Sequence, residues 1–328
     1  MWKLFINCSL LSFFMGLLFA ALISRFGSYV GLADMPNKRS SHIVPTSRSG
    51  GIGIWVAMIL TGLFFTQYHI FAMLASIIGF VSLLDDFFSI QHKIRLVLHL
   101  VTSAIVISLF LGIPTSIVAM LLYSFWIILI TGTTNFYNFM DGIDGIAGLT
   151  GFVGFGFMAV FSSFIVERLD IALISTALSA SCLGFLPFNI PKARVFMGDV
   201  GSVLLGFTFA SLLVNLSTSI NEFLCIIMFL CMFYADALVT IFCRWKRGEN
   251  LIMAHRSHLY QYMCNELRLP HWKVSFAYAL AQFAFAFLAL LAYKEGIICQ
   301  IVVFVFFGTI FLLIYRSIMK IKPRSLLS

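Results

Sequence analysis

Charged residues are scarce in this sequence. Only 10% of the 328 residues are charged, with 13 acidic and 21 basic side chains, whereas 61% are hydrophobic. A soluble domain carries about 25% charged residues, so the composition excludes an ordinary soluble globular protein. Apolar runs long enough to cross a bilayer recur along the chain and indicate a polytopic membrane protein.

The apolar runs also lack the polar–apolar alternation that a membrane β-barrel requires. The stretch LCIIMFLCMF (224–233), for example, is apolar throughout. Because only helices and closed barrels satisfy their backbone in lipid, the predicted fold is an all-α bundle of about 11 transmembrane helices. The first of these helices is expected to be a transmembrane span and not a cleaved signal peptide, because its apolar run is longer than the apolar core of a signal peptide. The spans are predicted at approximately 2–24, 50–67, 69–88, 94–112, 115–133, 147–166, 169–187, 200–217, 220–243, 273–293 and 296–317.

Cysteines offer neither a disulfide framework nor a metal site. Their number, seven, is odd and their spacing matches no metal motif. We interpret them as small apolar side chains in a reducing compartment.

Basic residues are nearly absent from one set of loops. Of the 21 Lys and Arg residues, that set holds Lys3, Arg168 and Lys294, which leaves eighteen for the other set. The positive-inside rule makes the basic side cytoplasmic, so the N-terminus is predicted to be periplasmic and the C-terminus cytoplasmic. The net charge of +8 follows from this asymmetry and requires no nucleic-acid partner.

Five polar stretches interrupt the apolar pattern, all on the predicted cytoplasmic face. We expect a single transmembrane domain over 1–328 whose active site lies on loops at about 25–49, 85–93, 134–146, 188–199 and 244–272. The stretches are DMPNKRSSHIVPTSRSGGIG (34–53), LLDDFFSIQHKIR (83–95), TGTTNFYNFMDGIDGIAG (131–148), FNIPKARVFMGDVGS (188–202) and RWKRGENLIMAHRSHLYQ (244–261).

Adjacent carboxylates occupy the end of the third span. Asp85 and Asp86 repel each other and lose hydration near lipid. A divalent cation or a phosphate-binding task would relieve that conflict; a helix cap in interfacial water is the alternative.

Further oxygen donors follow the fifth span and begin the eighth. Asp141 and Asp144 share a face if their segment is helical, and Asn135, Asn138 and Asp199 add donors. Such hard ligands suit Mg²⁺ rather than zinc. The alternatives are a flexible loop for the first group and a simple N-cap for Asp199.

Basic side chains in the first and last stretches suit phosphate oxygens. The histidine pair of the last stretch lacks a third ligand at zinc spacing, and a solvated basic loop is the alternative. The residues are Arg39, His42, His255, Arg256 and His258. Together with the oxygen donors they describe diphosphate handling, where positioning and charge neutralisation do most of the catalysis. A site at the membrane face implies one soluble and one lipid-borne substrate.

The motifs RSSHIVPTSRSGG, LLDDFFSI, NFYNFMDGIDGIAG, RVFMGDVGS and HRSHLYQ resemble, in this order, the cytoplasmic motifs of the polyprenyl-phosphate N-acetylhexosamine-1-phosphate transferases. The resemblance implies transfer of a sugar 1-phosphate from a UDP-N-acetylhexosamine to undecaprenyl phosphate, with release of UMP. It implies Mg²⁺ as the cofactor, with Mn²⁺ as a substitute, and the bacterial inner membrane as the location. Membrane lipid is a further partner, and a homodimer is left open.

Individual residues carry the resemblance. Asp85 and Asp86 match the family's catalytic acidic pair, and Asn138 and Asp199 match positions assigned to Mg²⁺. The nucleotide-sugar loop and the basic-loop histidines are matched by Asp141, Asp144, His255 and His258.

The loop PTSRSGG and the stretch AHRSHLYQ differ from the PTMGG loop and histidine-rich stretch of the peptidoglycan enzyme. The chain therefore looks closer to the O-antigen initiating branch, which uses UDP-N-acetylglucosamine or a 6-deoxy sugar such as N-acetylfucosamine or N-acetylquinovosamine. Ser47 and Ser49 depart from the Pro and Gly frequent in that branch and predict a slightly stiffer or tighter loop. A peptidoglycan-type enzyme is the alternative within the family.

Two other classes of protein compete with a transferase. A transporter would place ionisable groups near the bilayer midplane at repeated, broken helices, and a binding protein would not need paired acids beside magnesium ligands. The acids cluster at span ends, and Asp236 is the exception because it lies well inside a span. We interpret it as facing a cytoplasmic cavity, paired with Arg244, with its role open between structural and functional.

Overall fold

The structure, a computed structural model, describes residues 2–36, 44–64, 66–251 and 256–321. These segments are almost entirely helical, which confirms the predicted all-α fold class. The α-helices are α1 Trp2–Phe26, α2 Ile52–Phe64, α3 His69–Phe88, α4 His92–Leu111, α5 Ile117–Met140, α6 Ile146–Phe164, α7 Leu169–Phe185, α8 Asp199–Leu216, α9 Ile220–Ile227, α10 Cys231–Lys246, α11 Leu259–Asn265, α12 His271–Glu295 and α13 Ile297–Met319. Turns of 3₁₀ helix cover Gly27–Val30, Leu186–Phe188 and Met228–Leu230, and β1 (Ala33–Asp34) pairs antiparallel with β2 (Thr46–Ser47).

In the described segments, ten helices are long and apolar enough to cross a membrane, with α9, the following 3₁₀ turn and α10 counted as one helix. Ten of the eleven predicted spans therefore have a helix of spanning length, and the chain is a multi-pass membrane protein. The span predicted at 50–67 was too long, because α2 has 13 residues and rises only about 20 Å. It starts late because the N–H groups of Gly50 and Gly51 donate to the carbonyls of Phe196 and Met197, each at 2.8 Å. These bonds hold the preceding residues in a loop. The side of the membrane on which each terminus lies stays a prediction.

Helix α8 is the most buried long helix in the described part of the chain. Its spanning window is 89% buried, against 17% for α13, as expected for a helix that is apolar on every face. It packs against α3 and α5. A Cβ added at Gly206 would lie 2.9 Å from the carbonyl oxygen of Thr133 on α5, so glycine permits the close approach of these helices. The packing brings the ends of α3 and α5 to the start of α8.

Candidate active site

Three carboxylates from α3 and α8 form the acidic centre of this site. Asp85 and Asp86 lie in the last turn of α3, and Asp199 is the first residue of α8. Asp86 accepts hydrogen bonds from the backbone N–H groups of Asp199 at 3.0 Å and Val200 at 3.4 Å. It thus caps the start of α8 from a neighbouring helix, satisfying N–H groups that have no partner within the helix. The hydroxyl of Ser49 donates to the same carboxylate at 2.7 Å, so three donors hold Asp86 in place.

Two residues that lie against Asp86, Gly198 and Ser49, have left-handed backbone. Their conformation makes this arrangement compact. Gly198 has φ +74°, and a Cβ there would lie 2.6 Å from a carboxylate oxygen of Asp86, so the position requires glycine. Ser49 has φ 71°, which is uncommon for a residue with a Cβ. The hydrogen bond from Ser49 to Asp86 offsets part of the conformational cost of this positive φ. Glycine suits the position because it adopts a positive φ without that cost.

Arg95, in the first turn of α4, places one positive charge at the acidic centre. Its Nη1 contacts Asp199 at 2.7 Å and also donates to Asp85, while Nη2 lies 2.6 Å from Nδ1 of His92. The backbone N–H of Ile90 donates to the other oxygen of Asp85 at 2.5 Å. In the sequence, Arg95 is one of the eighteen basic residues that indicate topology, and nothing in the sequence predicts the direction in which its side chain points.

The donor chemistry of this centre fits Mg²⁺. One carboxylate oxygen of Asp85 and one of Asp199 meet at the same Arg95 nitrogen, which marks a point where positive charge is required. Asn138 donates to the other oxygen of Asp199 at 2.8 Å and to Ser202 at 3.0 Å. These are oxygen-bearing side chains of the kind Mg²⁺ prefers. As the side chains stand, no three His, Cys, Asp or Glu residues of the described segments form a ready metal cluster.

A cavity of about 280 Å³, here called cavity 1, opens beside the acidic centre. Of the oxygen donors predicted after the fifth span, Asn138, Asp141 and Asp144 line it. Burial raises the pKa of Asp141 to about 7, and the charges of Asp86 and Asp144 add to the effect. The complete lining is Asp34, Arg48, Asp86, Asn138, Asp141, Gly142, Ile143, Asp144, Asn189, Phe196, Gly198, Asp199, Gln261 and His271.

The loop after α5, which contributes two of these carboxylates, is fastened by polar contacts. The N–H of Gly145 donates to the side-chain oxygen of Asn189 at 2.7 Å, and the hydroxyl of Ser275 donates to the carbonyl of Asp144 at 2.7 Å. Nδ1 of His271 lies 3.2 Å from the Asp144 carboxylate. Asn189 and His271 therefore belong to the site, although nothing in the sequence distinguished them from other polar loop residues.

A second cavity of about 350 Å³, here called cavity 2, lies on the other side of the acidic centre. Arg48, Asp86 and Asp199 line both cavities and so form a shared wall. The complete lining is Arg48, Asp85, Asp86, Ser89, Ile90, Gln91, His92, Arg95 and Asp199.

Asp236 is fully buried in α10 rather than facing a cavity. It accepts hydrogen bonds from the N–H groups of Leu259 at 2.9 Å and Tyr260 at 3.3 Å, and from the hydroxyl of Tyr278 at 2.7 Å. Nδ1 of His258 lies 3.4 Å away. A buried carboxylate is tolerable only with such partners, and these tie α10 to α11 and α12.

The other predicted residues lie outside the two cavity walls or outside the described segments. His258 is 2% exposed and turns toward Asp236, and Arg256 is exposed. The amide of Asn135 donates to the Thr131 carbonyl one turn earlier on α5, at 2.7 Å. Arg244, expected beside Asp236, contacts Glu249 at 3.0 Å. Arg39, His42 and His255 lie outside the described residues.

Fold and site together define a helical membrane protein with an acidic centre between two polar cavities. Residues 68–217 match the family model described as glycosyl transferase family 4. The chain is thus similar to that family over this segment, which contains LLDDFFSI, NFYNFMDGIDGIAG and RVFMGDVGS. The match confirms the resemblance inferred from the motifs.

Curated relatives agree with this assignment. The chain is 26% identical over 225 residues to a probable undecaprenyl-phosphate N-acetylglucosaminyl 1-phosphate transferase of Bacillus subtilis (strain 168), over 63% of this chain and 62% of the relative. It is 30% identical over 199 residues to an undecaprenyl-phosphate alpha-N-acetylglucosaminyl 1-phosphate transferase of Thermotoga maritima, over 60% of each chain. A phospho-N-acetylmuramoyl-pentapeptide-transferase of Chlamydia pneumoniae is 32% identical over 141 residues, 42% of this chain and 38% of the relative. The chain thus spans about three fifths of the length of the first two relatives.

Proposed function

We propose that this protein transfers an N-acetylhexosamine 1-phosphate from a UDP-sugar to undecaprenyl phosphate and releases UMP. The observation that carries the proposal is the shared wall of Arg48, Asp86 and Asp199 between two polar cavities. Two phosphate-bearing substrates, one in each cavity, would meet at that wall. The names of the relatives support a polyprenyl-phosphate acceptor and an N-acetylglucosamine donor.

Cavity 1 suits the UDP-sugar. Asp141, Asp144, Asn189 and Gln261 supply hydrogen-bonding groups around it, and Phe196 supplies an aromatic ring. Such a mixture of a few polar groups and an aromatic surface orients a small ligand.

Cavity 2 suits the phosphate of the lipid. His92 and Arg95 provide basic groups there. Next to lining residues along the chain, Phe88 is 75% exposed and Ile94 is 56% exposed, which provides apolar surface for a polyprenyl chain. The acceptor would therefore approach along the ends of α3 and α4.

The reaction proceeds in this proposal by direct attack. An oxygen of the lipid phosphate bonds to the β-phosphorus of the UDP-sugar, and the bond from that phosphorus to the bridging oxygen breaks. The electron pair leaves with UMP, so charge balances without an added reactant. A phosphate monoester has a second pKa near 6, so the acceptor is largely dianionic at neutral pH. Asp85 and Asp86 then act as base and positioning groups rather than as nucleophiles.

Asp199 and Asn138 are the proposed holders of Mg²⁺, or of Mn²⁺ in its place, with Asp85 beside them. When bound, the ion would neutralise charge on the diphosphate. Asp86 meanwhile keeps the start of α8 in position through its backbone bonds.

The finer assignments are also proposals. The sugar is N-acetylglucosamine or a 6-deoxy N-acetylhexosamine, and the product initiates O-antigen or another cell-envelope polysaccharide. The site faces the cytoplasm at the bacterial inner membrane, as the clustering of basic loops indicates.

Purified protein in detergent should be assayed with undecaprenyl phosphate and a panel of UDP-sugars, including UDP-N-acetylmuramoyl-pentapeptide. We expect UMP and a diphospho-lipid of the mass of one N-acetylhexosamine adduct. Asp199→Asn should lower product formation on the order of 10²-fold, whereas the matched change Asp170→Asn, beside Arg168 outside both cavities, should not. Product only from the pentapeptide substrate would identify a peptidoglycan-type enzyme. Binding of the UDP-sugar without UMP release would contradict the proposal.

A further inference from the structure

Arg48 stands on rigid backbone at the meeting point of the two cavities. Its N–H donates to the carbonyl of Leu32 at 2.8 Å, and the carbonyl of the preceding residue, Ser47, accepts from the N–H of Phe196 at 2.8 Å. The residue that follows, Ser49, bonds to Asp86. The backbone on either side is therefore fixed, and the Arg48 side chain reaches the walls of both cavities.

The guanidinium of Arg48 carries a buried nitrogen without a partner. Of the two arginines that line the cavities, Arg95 contacts Asp85 and Asp199. Nε of Arg48, by contrast, is buried and has no hydrogen-bond partner in the described structure. A buried N–H without an acceptor is costly, and such a group in a native protein calls for an explanation such as a missing ligand.

The reaction needs a cation at this position. Both proposed substrates are dianions, and the acidic centre that separates them contains Asp85, Asp86 and Asp199. Charge on the β-phosphoryl oxygens must be stabilised while the new bond forms, and a fixed cation does this well in a cavity with little water. A guanidinium can hold two phosphoryl oxygens at once through paired N–H groups.

We propose that Arg48 binds the phosphoryl group that is transferred, contacting it from the wall shared by the two cavities. The inference rests on the proposed function and adds a residue that contacts the reacting phosphorus group. It also accounts for the unsatisfied Nε, because a phosphoryl oxygen would supply the missing acceptor.

The first test compares Arg48→Gln and Arg48→Lys with Arg316→Gln, a matched change at an exposed position of α13. Each purified variant is assayed for kcat, for KM with both substrates and for thermal unfolding. Arg48→Gln should lower kcat/KM on the order of 10²-fold or more, as for loss of an electrostatic stabiliser. Its Tm should stay close to that of the wild type, because the buried Nε has no hydrogen-bond partner to lose and the guanidinium acts on Asp86 through its charge alone. Arg48→Lys should recover only part of the activity, since the charge remains and the paired donors are lost.

Chemical rescue separates contact with substrate from a structural role. Methylguanidinium ions added to Arg48→Ala should raise turnover and should leave Arg316→Ala and the wild type unchanged. Unchanged kcat/KM in Arg48→Gln would overturn the inference, as would a loss of activity that follows a lowered Tm and is not rescued. If the wild-type protein makes no product, the proposed function is wrong. If the wild type and Arg48→Gln are equally active, only the role of Arg48 is refuted.

Discussion

Replacing Asp141 with asparagine should remove a pH dependence from the stability of the protein. This carboxyl lies in the loop between α5 and α6, outside the spanning helices. Burial, with the charges of Asp86 and Asp144, raises its pKa from the ordinary value of 3.8 to about 7. The folded protein therefore holds this proton more tightly than the unfolded chain does.

The sign and size of the effect follow from proton linkage. Because the folded-state pKa is raised, the stabilising contribution is fully present below about pH 4 and is lost as the pH rises toward 7. Integrating the difference in bound protons from about pH 5 to about pH 8 gives a loss of about 2–3 kcal/mol for the group. Asparagine has no proton to lose, so Asp141→Asn should not share this loss.

The assay is thermal unfolding of the detergent-solubilised protein across that pH range, with a chelator present so that no cation affects the carboxylates. The advantage of Asp141→Asn over the wild type should grow as the pH rises. Asn135→Ala, six residues earlier and without a titratable group, should keep the wild-type pH profile. Parallel profiles for Asp141→Asn and the wild type would refute the reasoning.

Substitutions at four further positions test the acidic centre, its supports and the buried carboxylate of α10. Asp199→Ala or Asn138→Ala should cut turnover on the order of 10²-fold while the folded yield survives; full activity, or activity undiminished by EDTA, would contradict the metal assignment. Ser49→Gly should be more stable than Ser49→Ala by about 1 kcal/mol, because only alanine keeps a Cβ in the left-handed region; equal unfolding midpoints would count against it. Asp236→Asn should lower stability by about 3 kcal/mol, since an amide N–H would face backbone donors in a buried site; an unchanged denaturation midpoint would show that these bonds contribute little.

The helices were predictable because the membrane limits what a chain can do. Apolar runs of spanning length must be helical in lipid, and ten of the eleven predicted spans contain a helix of spanning length. The loop predicted at 134–146 begins later than expected, because α5 continues to Met140. Helix α2 is the exception in length. Its start depends on bonds from Gly50 and Gly51 to Phe196 and Met197, which are distant in sequence and leave no mark on local hydropathy.

The acidic residues of the candidate site could be predicted from the sequence, but its arginines could not. Asp85, Asp86 and Asp199 stood out because carboxylates are expensive at a membrane boundary. Arg48 and Arg95 did not, because many basic residues occupy the same loops for topological reasons. Which of them turns inward depends on helix packing, so only the structure separates them from the rest.

The partners of Asp236 were equally hidden. A carboxylate inside a span signals that some compensation exists, but the donors of Leu259, Tyr260 and Tyr278 come from two other helices. Arg244 was expected to pair with Asp236 because the two residues lie close together on one helix. In the structure, Asp236 instead contacts groups on two other helices.

The central claim is most directly tested by measuring UMP release from a UDP-N-acetylhexosamine with and without undecaprenyl phosphate. With both substrates, direct attack predicts one UMP for each diphospho-lipid formed and sequential kinetics. Without the lipid phosphate, it predicts neither a stoichiometric burst of UMP nor exchange of labelled UMP into the UDP-sugar. A burst or exchange that disappears in Asp85→Asn or Asp86→Asn would contradict direct attack and make that aspartate a nucleophile.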